Sequence, residues 1–421
     1  MPNANLTPKM ILKQFMAFVK SDLIMIDHVH RDYDAEIANR REGDTIYVRA
    51  PMNFTVQTGT TFVNQDIEQR EIPVTVDTRK HIGFTYSDDD FQLSMPEFVR
   101  KHSLQEAARA MATDINRDLL GLYDGVYNWV GAPGQLINSM ADWNKSQLRL
   151  DLMDVPAANR FGVVSSEDGW SLVDEATSLN AADEEVIRAR RKGMINRDAG
   201  GAQLYRTSHV RSHTVGNYDG TPLVNGASQD VTYAQFKASG QTLETDGWSS
   251  GSSELKKGDV FTIAGVFAVH PNTKDPHSHL QQFVVKADVS DTGGAKSISI
   301  DPAIITSGPY QTVSAAPADN AAITVIGTAG QTYKQNLAFH KNAFLFTPVP
   351  IKVPDSAVVK ASVTDRTPNH KLDGAYSGTG LTFTMVKDFN IDDYSEKCRI
   401  DVLYGKKVLR PELAVRCSGT A

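Results

Sequence analysis

One stretch constrains the fold more than any other. From Ser103 to Val126, the residues Leu104, Ala108, Met111, Ile115, Leu119, Leu122 and Val126 follow at spacings of four, three, four, four, three and four. That spacing keeps them on one stripe of a 3.6-residue helix, with Leu104, Met111, Ile115, Leu119 and Leu122 as its core. Ala107, Ala110 and Ala112 add helix propensity. Ser103 with Glu106 predicts a capping box at the start, and Ser94, Pro96 and Glu97 predict a short lead-in helix to about Lys101. Asp124-Gly125 predicts the end. At about 1.5 Å per residue the rod is about 36 Å long and needs a sheet or loop laid along it. Taken alone, the pattern describes an ordinary amphipathic core helix.

The chain has 421 residues, too many for one core, and predicts about three domains. Lysine plus arginine is 43 against 50 for aspartate plus glutamate. A protein that grips nucleic acid by its phosphates is usually basic or carries a basic stripe. The cluster Arg188, Arg190, Arg191 and Lys192 reads as a solvated helix end. Cys398 and Cys417 are the only cysteines, which fits a reducing compartment. The N-terminus has no apolar signal core and no apolar run approaches membrane-spanning length, so neither secretion nor membrane insertion is expected.

In chain order, Thr7-Pro8 starts an amphipathic segment with Ile11, Leu12, Phe15, Met16 and Val19 on one face. Such a terminal segment docks either on another subunit or on its own domain. The same arm is acidic, with Asp22, Asp27, Asp32, Asp34 and Glu36. Period-two patterns at Asp44 to Ala50 and Glu71 to Tyr86, around a polar, glycine-containing run, predict a long two-stranded arm. A sheet-edge hairpin has the same pattern; an isolated hairpin is marginal in water, so a long one lies on something. Helices are expected at Asp142 to Met153, after a cap at Ser166, and at Glu184 to Lys192, with strands at Phe161 to Ser165 and Gln203 to Thr207. From Asn217 to about Thr332 the texture changes to short alternations with almost no helical period. Strands are expected at Val260 to Val269, Phe283 to Val289, Ser297 to Ile300 and Ile323 to Gly327, which predicts a small β-barrel or sandwich. Larger apolar residues return at Leu337 to Phe346. Strands follow at Leu381 to Lys387, Arg399 to Tyr404 and Leu413 to Arg416, so the β module reads as an insertion.

This order of parts resembles the major capsid (coat) proteins of tailed bacteriophages with the Hong-Kong-97-type fold, closest to the short-tailed Salmonella-phage branch. Three local matches carry it: Gly43 to Val48; Leu255 to Val266; and Cys398 to Gly405 followed by Arg410-Pro411-Glu412. The resemblance implies an α+β fold made of an N-terminal arm (1–43), an extended β-hairpin loop (44–86), a spine helix with peripheral domain (87–135), an axial domain (136–216), an inserted all-β barrel (217–336), and a return to the axial and peripheral domains (337–421). It implies a structural protein, not an enzyme. Many copies would form an icosahedral shell around double-stranded DNA, packaged without sequence-specific binding, in a virion assembled in the host bacterial cytoplasm. A portal protein would be a partner; no membrane and no cofactor would be. An encapsulin-like nanocompartment, which houses an enzyme cargo, shares the shell fold but usually lacks the inserted barrel.

Pro51 to Arg70 contains no lysine, so no isopeptide weld is expected at the loop tip. The loop begins near residue 44, which leaves no room for a fused scaffold domain and implies a separate scaffolding protein. Asp22 and Asp27 are the candidates to meet a basic scaffold segment. Asp66, Glu68, Arg70 and Glu71 are the candidates for contacts between subunits. His277-x-His279 lacks a third ligand at a metal-site spacing and lies in an expected polar loop, so no metal site follows. His209 and His213 lie near Ser208 and Ser212 without a nucleophile-elbow pattern, so no catalytic residue is assigned.

Overall fold

The structure is a computed structural model that describes residues 8–31, 45–56, 59–60, 64, 69–87, 96–178, 198–249, 254–290, 294–351, 359–364, 380–390 and 395–420. The expected Glu184 to Lys192 helix, with its basic cluster, lies outside them. The chain divides into two compact units: residues 1–48, 73–119 and 344–407 form the first, and residues 49–72, 120–343 and 408–421 form the second.

In the first unit, a five-stranded sheet is centred on Ser395–Val408, whose neighbours include Phe344–Val349, Thr382–Asn390 and Thr78–Ser87; Val359–Thr364 pairs with the far side of Thr382–Asn390. Cys398, Ile400, Val402 and Tyr404 alternate along the central strand and are all buried. The N-terminal helix Pro8–Asp22 lays Ile11, Leu12, Phe15, Met16 and Val19 into this unit, every one buried. Phe15 meets Phe383 edge-on at 5.2 Å. The N-terminal segment thus docks on its own unit.

The long helix is one continuous element, Pro96–Leu120, without a break at Ser103. Pro96 at the first turn lacks an amide that would be unpaired there anyway, and nothing from Glu97 to His102 interrupts a helix. Leu104, Ala108, Met111, Ile115 and Leu119 are buried as the stripe requires. Asn116 is buried on the flank of the stripe, and its Oδ1 accepts from Ile24 N at 3.2 Å and Met25 N at 3.4 Å. This bond ties the turn after the first helix to the rod.

The expected two-stranded arm is shorter than the alternation suggested. Thr45–Arg49 pairs with Glu71–Thr75 only. Thr78–Ser87 instead runs antiparallel to Ser395–Val408, from Ser87 against Ser395 to Thr78 against Tyr404. The break at Val76-Asp77 ends the first pairing. The ten-residue strand then finds a partner long enough to satisfy its amides.

In the second unit the rod gives way to a tight turn, Gly121–Gly125. Gly125 closes it because a Cβ there would meet Val408 Cγ2 at 2.9 Å, and not because the turn is left-handed. A six-stranded mixed sheet follows, in the order Trp129–Val130, Ala414–Cys417, Asn336–His340, Arg160–Ser165, Ala202–Thr207, Asp198–Ala199. Arg160–Ser165 and Ala202–Thr207 are parallel, and the helix Ser166–Ser178 lies between them in the chain. Its cap is Ser165, one residue before the expected Ser166: Ser165 Oγ accepts from Asp168 N at 3.2 Å and donates to Asp168 Oδ2 at 2.5 Å.

Ser139 caps the helix Met140–Leu152, whose Trp143 is fully buried against Gly162. A Cβ on Gly162 would lie 2.6 Å from Trp143 Cζ2 and 3.0 Å from Leu204 Cδ1. Gly162→Ala is therefore expected to destabilise the chain by about 1–3 kcal/mol, read from the urea midpoint. An unchanged midpoint would mean that the indole moves aside freely.

Between Ala202–Thr207 and Asn336–His340, which flank Arg160–Ser165, sits the inserted β module. Its antiparallel sheet runs Ile323–Val325, Val260–Val269, Pro276–Val285, Lys296–Asp301, Gln241–Trp248, Gly220–Val224. The two edges meet: Val224 N donates to Ala321 O at 3.0 Å and Asn320 N to Val224 O at 2.9 Å. The sheet thus nearly closes into a barrel around Leu243, Trp248, Phe261, Ile263, Phe283, Val285, Ile298 and Ile300. Two details differ from expectation. A helix, Tyr233–Ser239, stands in the region read as strand and turn, capped by Thr232 and Gln235. The strand expected at Phe283 to Val289 starts earlier, at Pro276, and ends at Val285.

Candidate assembly surfaces

Large apolar side chains rarely stand in solvent without a purpose when they cluster. On the extended loop Met52, Phe54 and Val56 are 40%, 59% and 96% exposed, and Tyr47 is 56% exposed on the strand before them. Met52, Phe54 and Val56 alternate in the chain with Asn53 and Thr55. The base of this loop is fixed within the second unit. Ala50 N donates to Arg70 O at 2.8 Å, and Gln69 Nε2 to Ala50 O at 3.1 Å. The Arg70 guanidinium lies 4.5 Å over the Phe236 ring. Asn53 N donates to Tyr310 Oη at 3.4 Å, and Tyr310 stacks on Tyr233 at 3.6 Å. Asn53, Arg70, Tyr233, Phe236 and Tyr310 line a groove of about 430 Å³ that also takes in Asp301 and Lys274. Burial pushes the Asp301 carboxyl up, against the pull of Lys286, and pulls the Lys274 ammonium down.

Of the residues expected at subunit contacts, Arg70 is placed on Phe236, and the exposed Glu71 lies 4.0 Å from Arg49. Asp66 and Glu68 lie outside the described residues. Of the expected scaffold contacts, Asp27 is exposed in the short turn Ile26–His28, and Asp22 ends the N-terminal helix with its side chain outside the description. Sequence reasoning passed over Met52, Phe54 and Val56; their alternation in a run read as polar was the available signal.

In the first unit a charged network holds the rod to the sheet. Lys80 Nζ lies 2.9 Å from Asp114 and 3.3 Å from Asp118, Lys406 Nζ lies 3.3 Å from Asp118, and Tyr404 Oη donates to Asp118 at 2.8 Å. Burial pushes the Asp118 carboxyl up, but the Tyr404 hydrogen bond and the Lys406 and Lys80 charges outweigh it and hold it low.

The histidines take structural places. His213 Nδ1 meets Tyr123 Oη at 3.1 Å, and its Nε2 meets Asp259 Oδ1 at 2.7 Å. Asp259 Oδ2 accepts from Gly216 N at 3.1 Å and Lys256 N at 2.7 Å. His209 N donates to Thr207 Oγ1 at 3.2 Å. His277 and His279 lie in the strand Pro276–Val285, not in a loop, with rings stacked at 5.2 Å. Among the described residues no three histidine, cysteine, aspartate or glutamate side chains are grouped to hold a metal.

Burial, helped by the Arg149 charge, pulls His279 from 6.5 down to about 4. The unfolded chain therefore takes up a proton that the folded chain refuses. Stability is intact above pH 6.5 and falls as pH drops toward about 4. His279→Gln should flatten this fall between pH 7.5 and 5 in urea midpoints; an unaltered slope would remove His279 as its source.

A continuous rod tied to the five-stranded sheet of its own unit, a loop with exposed apolar side chains, and a nearly closed barrel inserted between strands define a Hong-Kong-97-type coat fold. A family model described as P22 coat protein, gene protein 5, matches residues 3–419, and the chain belongs to that family. It is similar to the major capsid protein of Acyrthosiphon pisum secondary endosymbiont phage 1, 22% identical over 349 residues that cover 79% of this chain and 82% of that one. Similar solved structures include Mycobacterium phage Che8, at 14% identity and TM-score 0.47 over 94% of this chain and 90% of that one. The CUS-3 coat protein I-domain is another, at 32% identity and TM-score 0.19 over 26% of this chain and 98% of that domain. The chain is a bacteriophage major capsid protein, a structural component of the virion that assembles in many copies. Nothing favours an encapsulin over this assignment.

Proposed function

We propose that the copies form an icosahedral shell around double-stranded DNA, built in the host cytoplasm with a separate scaffolding protein and filled through a portal. The exposure of Met52, Phe54 and Val56 carries this reading, because a monomer gains nothing from holding three apolar side chains in water. Seated on a neighbouring copy they would bury apolar area once per interface, repeated by symmetry. In this reading residues 44–75 form the gripping arm, 217–336 the inserted module, 136–216 the axial domain, and Arg70 braces the arm from below. A net charge of −7 suits a container that releases its DNA. No step of this role calls for catalysis.

The test is Phe54→Glu with Val56→Glu, co-expressed with the scaffolding protein. Monomer urea midpoints should stay within about 0.5 kcal/mol of wild type, since both side chains are already in solvent. Particles on a sucrose gradient should fall at least tenfold. Normal particle yield would remove the loop from assembly. For the scaffold, Asp22→Asn with Asp27→Asn should weaken co-assembly most at low salt, where charge pairing is least screened; salt-independent assembly by the variant and wild type alike would exclude the acidic arm.

A further inference from the structure

His277 and His279 lie two residues apart on one face of the strand Pro276–Val285, with rings 5.2 Å apart and inclined by only 15°. The His270 ring stands 5.9 Å from that of His277. His277 Nε2 meets Leu152 O, on the last residue of the helix Met140–Leu152, at 3.1 Å. A carbonyl only accepts, so Nε2 carries the proton of the neutral His277 ring and Nδ1 is bare. The Asn272 side chain donates to Asp154 Oδ2 just past the same helix. These two bonds join the inserted module to the helix end.

Arg149, in the last turn of that helix, adds a cation beside the rings. Burial pulls its pKa down to about 10, with Tyr127 pulling the other way, so it is charged at neutral pH. Among the described residues no carboxylate pairs with it, and none lies within ion-pair distance of His277 or His279. Asp151 is held by Arg160 at 2.7 Å, and Asp154 takes the Asn272 amide. In the turn before the strand, Lys274 Nζ donates to Pro309 O at 2.7 Å, Asp275 is exposed, and His270 Nδ1 accepts from Asn272 N and Thr273 N, each at 3.2 Å. Burial is the main force lowering both His277 and His279, and the Arg149 charge lowers both further; the Leu152 bond opposes this at His277. His279 Nε2 is buried without a partner among the described residues, so a proton there has nothing to donate to.

We propose that this corner is an acid-opened clasp: protons taken up by His279 and His277 beside the charge of Arg149 part the module strand from the end of the helix Met140–Leu152, while the barrel itself stays folded. Opening lets water reach both rings and separates them from Arg149, so each charges as a free imidazole does. Opening therefore takes up protons, and a falling pH favours it. Between pH 7.5 and 5, His279, at 6.5 in water and about 4 in place, raises the opening constant about tenfold once the partial solvation of the ring is allowed for.

The test uses the full chain and amide hydrogen exchange read by mass spectrometry at pH 7.5 and 5, with rates corrected for the intrinsic effect of pH. Peptides covering residues 149–155 and 270–280 should open about tenfold more readily at pH 5, while peptides in the barrel strands Gln241–Trp248 and Lys296–Asp301 keep their protection. His279→Gln should lose most of this acid response and Arg149→Met part of it. The wild-type comparison decides by itself if a variant fails to fold. Unchanged protection of the two clasp peptides between the two pH values, a loss spread equally over the barrel strands, or a full acid response in folded His279→Gln would overturn the proposal.

Discussion

Asp259→Ala should lower stability by about 3–5 kcal/mol, the range for breaking a buried polar pair and leaving its partner behind. The carboxylate is 1% exposed and takes donors from three segments: the His213 ring, the Gly216 amide and the Lys256 amide. Removing it leaves the buried His213 ring and the buried Gly216 amide without their acceptor, each unfavourable by about 1–3 kcal/mol. The damage should concentrate in the inserted module, because Asp259 opens the strand Val260–Val269 and Gly216 leads into it. Trp248, 3% exposed in the barrel core, makes its fluorescence the natural probe. Urea unfolding of Asp259→Ala should show the module melting before the rest. A midpoint within about 1 kcal/mol of wild type would mean that the three donors find other acceptors.

Phe15→Ala should be of similar size, about 3–5 kcal/mol, because a fully buried aromatic leaves a cavity. Phe15 has no exposed surface and packs edge-on against Phe383, so the change strips the N-terminal helix of its anchor. The expected signature is local. Limited proteolysis should cut within residues 8–22 of the variant at protease concentrations that leave the wild type whole. Equal resistance in the two proteins would show that Leu12, Met16 and Val19 hold the helix unaided.

The sequence was most legible where one element declared its own period. The stripe Leu104, Met111, Ile115, Leu119 repeats over several turns, so its buried face could be read without knowing what covers it. Leu122 belongs to the turn Gly121–Gly125 and is buried there too, although the rod has ended. Strand partners were less legible. Ile82 lies opposite Ile400, more than three hundred residues away, and a period of two reports faces, not neighbours. The helix Tyr233–Ser239 has seven residues, too few to show a 3.6 period, and only Thr232 with Gln235 marked it. His277 and His279 read as loop because Pro276 and polar neighbours hide the start of a strand. Among site residues, charge drew attention to Arg70, whose guanidinium lies over the Phe236 ring. The exposed apolar triplet at Met52, Phe54 and Val56 was hidden in a run judged by its glycine and polar residues.

Whether the loop grips an adjacent molecule is tested most directly by a cryo-EM reconstruction of particles purified from co-expression with scaffold. Phe54 and Val56 should be buried against a neighbouring copy at every quasi-equivalent position of a closed shell. Particles in which the two side chains stay in solvent, or preparations holding only monomers, would contradict it.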